Sequence, residues 1–578
     1  MTALSSYAFQ VQEIAKQMRG CRMAGMDIDF DFLVVGSGAA GLVGAIGASI
    51  MGLRPLIIEK ADVWGGTTAI SGGVLWIPGN DVMARDGDSD DAQGARSYVN
   101  ALLGDVTERE MAKAEAFLAN APEMARMLAG EGLNWIRSRK HPDYYPHVTG
   151  SSVGRTLESA QVDGRMLGDR FHTMRAASLD LPAITSDQFG TVTRAKTAPG
   201  PLLETALTVG RYKVRRLLGQ KPLGNGRALA ASLMKIAMAR GIPIRLSTRL
   251  IELLHTDGAV TGAVVESDHG RERLDALAGV LLAAGGFARN AALRKELQDR
   301  DRVWTNAIPE DEGDAYAAAS AIGADHERTD DCWWMPSIQV SPSANGLALG
   351  LRALPGSIVV NAQGRRYMNE AASYMSTGKT MFENGAADAD HWLIMDGKFL
   401  KRYIFAELSQ KGIRDQMMAQ GYLKRAASIR ELAIQCGLDP NVLEETVERF
   451  NTFAREGQDL DFGRGNTDYD RYWADPNHEP NPSLGEIRHS PYWAAVLRPG
   501  DLGTNGGIKT DEWARVLDTS ERPITGLYAA GNSASSPFGR TYPGAGATIA
   551  AASTFGYMAA MHAAKRHRNA PSAPMAQI

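Results

Sequence analysis

The sequence predicts an α/β protein in which a Rossmann-like nucleotide-binding domain is interrupted by an inserted α+β catalytic (cap) domain. Two glycine-rich segments, one near each end of the chain, predict the nucleotide-binding domain. Mixed helix-like and strand-like patterns between them predict the inserted domain. The predicted order is a leader at 1–29, the first part of the nucleotide-binding domain at 30–331, the inserted domain at 332–489, the second part of the nucleotide-binding domain at 490–568 and a disordered tail at 569–578.

The N-terminal glycine segment is a dinucleotide-binding fingerprint in its expected setting. An apolar strand precedes the glycines, a helix-like pattern follows them, and an acidic residue closes the next strand. Gly36 permits a tight turn, Gly38 lets the backbone approach a pyrophosphate, and Gly41 packs helix on strand. The helix N-terminus then faces the phosphates, and Glu59 can accept a hydrogen bond from a ribose hydroxyl. The predicted contacts here are Gly36, Ser37, Gly38, Ala39, Ala40, Gly41, Glu59 and Lys60.

A second small-residue segment decides between FAD and NAD. It lies just beyond Glu59, where a nicotinamide domain would continue with ordinary βα units. Paired glycines and small hydroxyl residues there suit a backbone lying against a long ligand, as in flavin-binding folds related to fumarate reductase. The sequence therefore predicts non-covalently bound FAD. The contacts predicted here are Gly65, Gly66, Thr67, Thr68, Ser71, Gly72 and Gly73, and further along the chain Leu250, Ala284, Gly285, Gly286, Asp314, Gly531, Asn532, Gly546, Ala547, Thr548 and Ile549.

Local patterns place several elements around these contacts. Residues 245–252 and 259–266 alternate like antiparallel strands joined at Asp257-Gly258. The apolar run 277–282 predicts a strand that returns to the cofactor, and Gly313-Asp314 predicts a helix start. Residues 541–564 contain no acidic residue, lysine or arginine, but they are mostly small, which favours a buried helix over a membrane span.

The composition excludes several function classes. Hydrophobic residues make up 44% of the chain and charged residues 22%, which is typical of globular proteins. A length of 578 residues is too great for one compact core and indicates two or three domains. The net charge of −4 gives no reason to expect nucleic acid as a partner. The three cysteines are far apart and the eleven histidines lack metal-ligand spacing, so we expect no disulfide framework and no metal site. A reducing cytoplasm is the expected location, and the oligomeric state stays open.

Two further segments have more than one interpretation. The basic, partly amphipathic stretch 178–223 leaves open a peripheral contact with the inner face of the cell membrane, although a solvated helix face is favoured. The stretch 461–473, with Tyr469, Tyr472 and Trp473, is interpreted as a surface loop. Cys332-Trp333-Trp334 is expected to pack the junction of the two domains or to wall an apolar pocket.

Three phrases carry a resemblance to a known family. The first is the N-terminal segment, which contains Gly-Gly-Thr-Thr and Ser-Gly-Gly-Val-Leu-Trp-Ile-Pro. The second is the stretch Gly364–Tyr374, and the third is the C-terminal stretch Gly531–Gly546, which contains Thr-Tyr-Pro-Gly-Ala-Gly. Together they are similar to the bacterial 3-ketosteroid Δ1-dehydrogenases of the fumarate reductase flavoprotein superfamily, over about residues 32–564. The segment 178–223 is the weakest part of the match.

The resemblance implies four catalytic residues. Tyr374 corresponds to the family's base, which takes a proton from carbon 2 of a 3-ketosteroid, and Tyr144 to the tyrosine that shares its charge. The Tyr542 hydroxyl and the Gly546 N–H correspond to the pair that holds the 3-keto oxygen. Such a pair forms an oxyanion hole, which makes the proton acidic enough to remove. Tyr145 is the rival to Tyr144 if the correspondence is shifted by one residue.

The implied reaction is completed by hydride transfer from carbon 1 to flavin N5, with reoxidation by a quinone or another acceptor. The same chemistry at the Δ4(5α) position is the nearest alternative. A fumarate-reductase-like reaction on dicarboxylates would need arginine clamps, for which Arg540 is the candidate. A flavin-binding sensor or electron carrier without a substrate is the alternative outside enzymology.

Overall fold

The computed structural model describes residues 29–177, 182–300, 302–385, 390–405 and 407–569. The described residues from Asp31 onward belong to one compact unit, and the described residues 29 and 30 belong to another. The predicted leader through residue 28, the tail beyond residue 569 and the start of the basic segment at 178–181 lie outside the described residues.

The described residues form strands β1–β22 and helices α1–α17, numbered along the chain. The strands are Phe32–Val35, Pro55–Ile58, Val74–Trp76, Trp135–Arg137, Thr156–Ser159, Val162–Asp163, Pro222–Leu223, Ile244–Arg245, Arg249–Thr256, Ala259–Ser267, Gly270–Asp275, Gly279–Leu282, His326–Glu327, Cys332–Gln339, Asn345–Leu347, Ser357–Val360, His391–Met395, Leu423–Ala426, Tyr492–Thr504, Gly507–Ile508, Arg515–Leu517 and Pro523–Ala529. The helices are Ala39–Ile50, Gly66–Ile70, Asp81–Arg85, Ala92–Leu103, Glu108–Gly130, Ser186–Thr193, Pro199–Leu217, Asn225–Ala239, Ala291–Gln298, Asp314–Ser320, Tyr374–Glu383, Phe399–Arg402, Lys411–Ala419, Ile429–Cys436, Pro440–Glu456, Asp468–Trp473 and Ala547–Asn569.

The larger sheet has nine strands and contains the predicted nucleotide-binding core. Its order is β11-β10-β22-β12-β1-β2-β8, with β9 and β21 pairing at its sides. Strand β1 lies between β12 and β2 and pairs in parallel with both. Every residue of β1, β2 and β12 is buried, as expected for parallel strands covered on both faces. The predicted antiparallel hairpin is confirmed as β9 and β10, and the predicted return strand is confirmed as β12.

Two helices with small residues pack closely over this sheet. Helix α1 follows β1, and the long C-terminal helix α17 crosses it at Gly44 and Gly556. A Cβ atom on Gly556 would lie 2.3 Å from the Ala40 carbonyl oxygen, so only glycine permits the approach. The buried helix predicted for residues 541–564 is confirmed as α17, shifted towards the C-terminus. In the described part of the chain, no helix has the length and apolar character needed to cross a membrane.

The smaller sheet has six antiparallel strands and two hydrophobic cores of its own. Strand β14 begins at Cys332, where the inserted domain is predicted to start. Strand β19 at 492–504 pairs with β14, β17 and β18 in this sheet, so the predicted return to the nucleotide-binding sheet at about residue 490 is wrong for these residues. The chain rejoins the larger sheet at β21. The domain boundaries otherwise stay a prediction.

Candidate active site

The turn from β1 into α1 has the geometry of a phosphate-binding turn. Gly36 has a φ of +109°, and a Cβ atom there would lie 2.3 Å from the Ala283 carbonyl oxygen. A Cβ atom on Gly41 would lie 1.9 Å from the Gly36 carbonyl oxygen, so helix and turn are in contact there. The N-cap residue of α1, Gly38, has no side chain to cap the helix, and the first N–H group, that of Ala39, donates to the Thr68 hydroxyl. The next N–H groups of this first turn and the helix dipole therefore fit an anionic group.

Glu59 fixes this turn from the end of β2. Its carboxylate accepts hydrogen bonds from the Ser37 N–H at 3.0 Å, from the Ser37 hydroxyl at 2.6 Å and from the Ala61 N–H at 3.0 Å. The Ser37 hydroxyl also accepts a hydrogen bond from the Gly65 N–H at 2.9 Å. Glu59 thus links the two glycine segments, a structural role beyond the predicted contact with a ribose.

The second glycine segment leaves room for a long ligand. The Thr68 hydroxyl accepts a hydrogen bond from the Ala39 N–H at 2.9 Å, which holds this segment beside α1. A Cβ atom on Gly72 would meet no atom within 4 Å, and one on Gly38 would meet only the Thr68 hydroxyl, at 3.5 Å. The backbone is therefore open along this groove, and the residues present fit FAD.

The remaining predicted contacts converge on the same edge of the sheet. Ala284, Gly285 and Gly286 follow β12, Gly531 and Asn532 follow β22, and Ala547, Thr548 and Ile549 open α17. Because β1, β12 and β22 run in parallel, their carboxyl ends meet at one edge, the usual ligand site of open α/β sheets. Gly531 lies against both helices, since a Cβ atom there would be 3.4 Å from the Cβ atoms of Ala40 and Ala552.

Three predicted contacts have other partners in the structure. Asp314 opens α10, as the sequence predicts, and its carboxylate pairs with Lys60 at 3.0 Å and with Arg249 at 2.5 Å. Leu250 is buried in β9 beside Arg249. These charges neutralise one another. Lys60 and Asp314 can therefore contribute to cofactor binding only while they keep this ion pair.

Asp311 is a candidate cofactor ligand that sequence analysis missed. Its Oδ1 atom is buried without a hydrogen-bond partner among the described residues, and a Cβ atom on Gly285 would lie 2.4 Å from it. Burial raises the pKa of Asp311 to about 7, against hydrogen bonds from the backbone of Gly286 and Ala288. A buried oxygen left unpaired beside the glycine turn fits a ligand hydroxyl. Asp311 follows no motif, and only its place three residues before Asp314 could have drawn attention to it.

The three predicted tyrosines form one cluster at the junction of the two sheets. The ring centroids of Tyr144 and Tyr374 are 5.1 Å apart, those of Tyr144 and Tyr542 are 5.3 Å apart, and those of Tyr374 and Tyr542 are 5.3 Å apart. All three side chains are buried. Trp333 walls the cluster, with its ring 5.2 Å from that of Tyr542 and its indole N–H donating to the Asn532 side-chain oxygen at 3.2 Å. This contact connects the cluster to the cofactor edge.

Local hydrogen bonds hold the tyrosines in place. The Tyr144 N–H donates to the Pro543 carbonyl oxygen at 3.0 Å, and the Tyr98 hydroxyl donates to the same oxygen at 2.7 Å. Tyr374 is the first residue of α11, whose N-terminus is capped by the Ser373 side chain. Tyr145 hydrogen-bonds through its side chain to the start of the same helix and does not share the ring contacts of Tyr144.

The turn from Tyr542 to Gly546 brings two donors together. Burial raises the pKa of Tyr542, while hydrogen bonds from the Thr548 hydroxyl, from Tyr374 and from the N–H groups of Thr548 and Gly546 oppose that rise. The Gly546 N–H and the Tyr542 hydroxyl are therefore neighbours. Gly546 has a φ of +87°, and a Cβ atom there would lie 1.9 Å from the Val74 carbonyl oxygen, so the backbone itself requires glycine.

Burial makes the cluster a poor place for a negative charge. It raises the pKa of Tyr374 well above the ordinary phenol value, and the phenols of Tyr144 and Tyr542 raise it further. It likewise raises the pKa of Tyr144, although a hydrogen bond with Tyr374 acts in the opposite direction. A base in this cluster therefore needs a partner that stabilises its deprotonated form.

Tyr469 is a fourth member of the cluster that sequence analysis placed elsewhere. It lies on α16, is 1% exposed, and its ring centroid is 5.0 Å from that of Tyr144. Trp473 on the same helix is also buried. The interpretation of these aromatic residues as a surface loop is therefore wrong, because α16 packs against the tyrosine cluster. The apolar spacing of Tyr469 and Trp473 along one helix face was the available signal.

The fold agrees with comparisons to known proteins. Residues 31–549 match the family described as FAD binding domain. The chain belongs to this flavoprotein family. FAD is accordingly its cofactor.

Similar proteins cover nearly the whole chain. The 3-oxosteroid 1-dehydrogenase of Mycolicibacterium smegmatis is 38% identical over 92% of this chain and 97% of its own length. The 4-oxocyclohexanecarboxylate 2-dehydrogenase of Sinomonas cyclohexanicum is 34% identical, covering 92% of both chains. The crystal structure of 3-ketosteroid delta1-dehydrogenase from Sterolibacterium denitrificans in complex with 1,4-androstadiene-3,17-dione superposes with a TM-score of 0.87 at 37% identity, covering 93% of this chain and 99% of that chain. These matches identify the chain as a flavin-dependent oxidoreductase.

Proposed function

We propose that this protein desaturates the carbon 1–carbon 2 bond of 3-ketosteroids. The observation that carries the proposal is the buried cluster of Tyr144, Tyr374 and Tyr542 beside the Gly546 N–H, at the sheet edge that we propose as the FAD site. When bound, FAD supplies the acceptor for the hydride that leaves carbon 1.

In the proposed reaction the protein moves one proton and holds one oxygen. The Tyr542 hydroxyl and the Gly546 N–H donate hydrogen bonds to the 3-keto oxygen, which stabilises the negative charge that develops there. Tyr374 takes the proton from carbon 2. The hydrogen bond between the two phenols raises the pKa of Tyr374 and acts to lower that of Tyr144, so Tyr144 shares the charge only by donating to the Tyr374 oxygen once that oxygen is deprotonated. Burial of the cluster excludes water, which strengthens each of these interactions.

Neutral donors favour a ketone over a dicarboxylate. Arg540, the candidate for clamping a carboxylate, pairs with Asp330 at 2.9 Å, and nearly half of its side chain is exposed to solvent. The relative that acts on 4-oxocyclohexanecarboxylate indicates a second candidate, a single-ring ketone that carries a carboxylate. With Arg540 already paired, an uncharged ring ketone fits the donor set better.

The test is anaerobic reduction of the bound flavin. We expect a saturated-ring-A or Δ4 3-ketosteroid to bleach the flavin absorbance and to yield the 1,2-unsaturated product by mass spectrometry. Succinate and 4-oxocyclohexanecarboxylate serve as comparison substrates. Bleaching by a dicarboxylate alone would overturn the proposal, and a Δ4(5α) product from a 5α-steroid would move the reaction to the neighbouring bond.

We also propose that the protein contacts an anionic membrane surface through α7 and passes electrons to a quinone or another acceptor. Helix α7 has no buried residue. Leu203, Leu207 and Val214 share one face by their spacing and are 63%, 51% and 55% exposed, whereas a solvated face would carry polar side chains there. Exposed Arg211 and Lys213 add positive charge beside this face.

Vesicle co-sedimentation tests the membrane contact. We expect binding to vesicles containing phosphatidylglycerol that weakens with salt. Replacing Leu203, Leu207 and Val214 together by glutamine is expected to abolish it. The control replaces Leu277 and Ile434, which are 70% and 65% exposed elsewhere on the surface. Equal binding by both variants would refute a role for α7.

A further inference from the structure

Tyr98 is a buried tyrosine that belongs to none of the sequence motifs and has no role in the proposed reaction. It lies on helix α4 and is 0% exposed. Its hydroxyl accepts a hydrogen bond from the Tyr145 N–H at 3.2 Å and donates one to the Pro543 carbonyl oxygen at 2.7 Å. One hydroxyl group therefore joins the backbone just after Tyr144 to the turn that contains Pro543.

The Pro543 carbonyl oxygen also binds the Tyr144 segment directly. It accepts a second hydrogen bond, from the Tyr144 N–H, at 3.0 Å. Pro543 lies between Tyr542 and Gly546, the two proposed donors to the substrate ketone, in a stretch that we call the oxyanion turn. The rings of Tyr144 and Tyr542 stack, with centroids 5.3 Å apart and planes at 14°. The two hydrogen bonds at this oxygen therefore fix Tyr144 relative to the oxyanion turn.

Helix α4 holds Tyr98 in a defined place. Its N-cap residue, Asp91, accepts hydrogen bonds from two backbone N–H groups of the first turn. The loop between β4 and β5, which carries Tyr144, packs directly on this helix. Gly150 of that loop has a φ of +85°, and a Cβ atom there would lie 2.0 Å from the Gly94 carbonyl oxygen. The Tyr98 hydroxyl thus extends from a helix that is in backbone contact with the Tyr144 loop.

Trp76 joins the same two segments through different atoms. Its indole N–H donates to the Asp143 carboxylate at 2.7 Å, and Asp143 is the residue before Tyr144. A Cβ atom on Gly544 would lie 2.2 Å from the Trp76 Cδ1 atom, so the indole ring packs against the oxyanion turn. Trp76 and Asp143 are both buried. The contact between the two segments is therefore built twice, once through Tyr98 and once through Trp76.

We propose that Tyr98 is a positioning residue, whose hydroxyl fixes the segment that carries Tyr144 relative to the oxyanion turn. This inference rests on the proposed function, because it concerns the alignment of the groups that would hold the ketone and assist the base. A displacement of such groups by about 1 Å can lower a rate by about 10²-fold. The Tyr98 hydroxyl already donates to the Pro543 carbonyl oxygen, so Tyr98 acts through the backbone of its two neighbours.

The test is Tyr98→Phe in the flavin-loaded enzyme. This change removes one hydroxyl and keeps the ring, whose centroid lies 6.2 Å from that of Trp76. Turnover is expected to fall by about ten- to a hundredfold while the flavin stays bound. The preference for binding a 3-ketosteroid over the same steroid without its 3-oxygen is expected to fall as well, because only the ketone contacts the oxyanion donors. Changes in flavin absorbance measure both affinities.

Tyr403→Phe is the matched control. It also removes a buried tyrosine hydroxyl, which donates to Asp475 at 2.9 Å, and Tyr403 lies in a core of the smaller sheet. We expect it to leave turnover and the ketone preference unchanged. If Tyr98→Phe does not fold, Trp76→Phe replaces it, because that variant removes the N–H group of the second contact and is expected to lower the ketone preference in the same way.

Hydrogen–deuterium exchange of the holoenzyme gives a readout that does not depend on turnover. The N–H groups of Tyr144 and Tyr145 are expected to exchange faster in Tyr98→Phe and at the wild-type rate in Tyr403→Phe. If the wild type shows no ketone preference, the proposed function fails, while the exchange rates still decide whether Tyr98 joins the two segments. Unchanged exchange, unchanged turnover, or an equal loss of affinity for both steroids in folded Tyr98→Phe would overturn the positioning role.

Discussion

The two halves of the candidate site are built in different ways. The cofactor edge is made by short stretches of consecutive residues in which glycines permit close backbone contacts, as at Gly36 and Gly41. The tyrosine cluster is made by side chains from three distant segments, of which Tyr374 alone belongs to the inserted domain as predicted. The comparison teaches that the first half depends on the space that the backbone leaves, and the second on the chemistry of single hydroxyl groups.

The largest effect is expected at the tyrosine cluster. Tyr374→Phe removes the proposed base without changing the ring packing, so turnover should fall by about 10²–10⁴-fold while FAD stays bound. Steady-state kinetics and the flavin spectrum measure the two properties separately. Tyr145→Phe is the comparison, and a smaller loss of turnover is expected there, because Tyr145 makes none of the ring contacts of the cluster while its hydroxyl bonds to Ser373, Ser376 and the Tyr542 backbone. Wild-type turnover in Tyr374→Phe would remove the base assignment.

Gly546 belongs to both halves of the site, and we expect a substitution there to act mainly through the backbone conformation. Gly546→Ala would place a Cβ atom 1.9 Å from the Val74 carbonyl oxygen at a φ of +87°. The free energy of unfolding should therefore fall by roughly 1–3 kcal/mol or more. Gly72→Ala is the contrast, since its Cβ atom meets no protein atom within 4 Å. Gly72→Ala should leave the stability of the apoprotein unchanged and weaken FAD binding. Thermal unfolding with and without FAD distinguishes these outcomes.

A smaller effect is expected at Asp311. If its unpaired Oδ1 atom accepts a hydrogen bond from the cofactor, Asp311→Ala should weaken FAD binding by about 1–3 kcal/mol, in addition to the apoprotein stability lost with the hydrogen bonds from the Gly286 and Ala288 backbone. Fluorescence titration with FAD measures the affinity. Asp314→Ala is the comparison, because that carboxylate is already paired with Lys60 and Arg249. A larger loss in Asp314→Ala than in Asp311→Ala would reverse our ranking of the two acids.

At neutral pH the smallest effect is that of Lys113, because it grows only as the pH rises above about 7. It donates to the Thr510 hydroxyl and to the Ser535 carbonyl oxygen, both at 2.7 Å, and burial lowers its pKa to about 7. The unfolded chain binds this proton up to the usual lysine pKa of 10.5, so the folded state gains stability as the pH rises from about 7 towards that value. The gain is at most about 1.4 kcal/mol per pH unit.

Chemical denaturation across this pH range measures the Lys113 effect. The Lys113→Met variant should lose the pH-dependent part while other groups titrate as in the wild type. A parallel pH dependence in both proteins would mean that Lys113 keeps its charge in the fold.

Much of the larger sheet could be predicted from the sequence, because each element carries its own local pattern. The strand before Gly36, the hairpin of β9 and β10 and the helix start at Asp314 are all confirmed. The predictions from the sequence were wrong where a segment packs against a partner that lies far away along the chain. Strand β19 was assigned to the wrong sheet, and Tyr469 to a loop, because neither segment reveals its partner. Asp311 was missed for the same reason, since only its surroundings make its oxygen unusual.

By itself the sequence determined the family and the cofactor, and it predicted the three tyrosines, since each stands in a short motif that can be recognised without knowledge of the fold. The tertiary structure alone decided that Tyr469, on a distant helix, packs its ring against that of Tyr144. The physical reason is the separation along the chain between the residues that interact. Glycine turns and helix starts are set by neighbours along the chain, whereas the charge that a buried phenol experiences is set by whichever groups the folded chain packs around it.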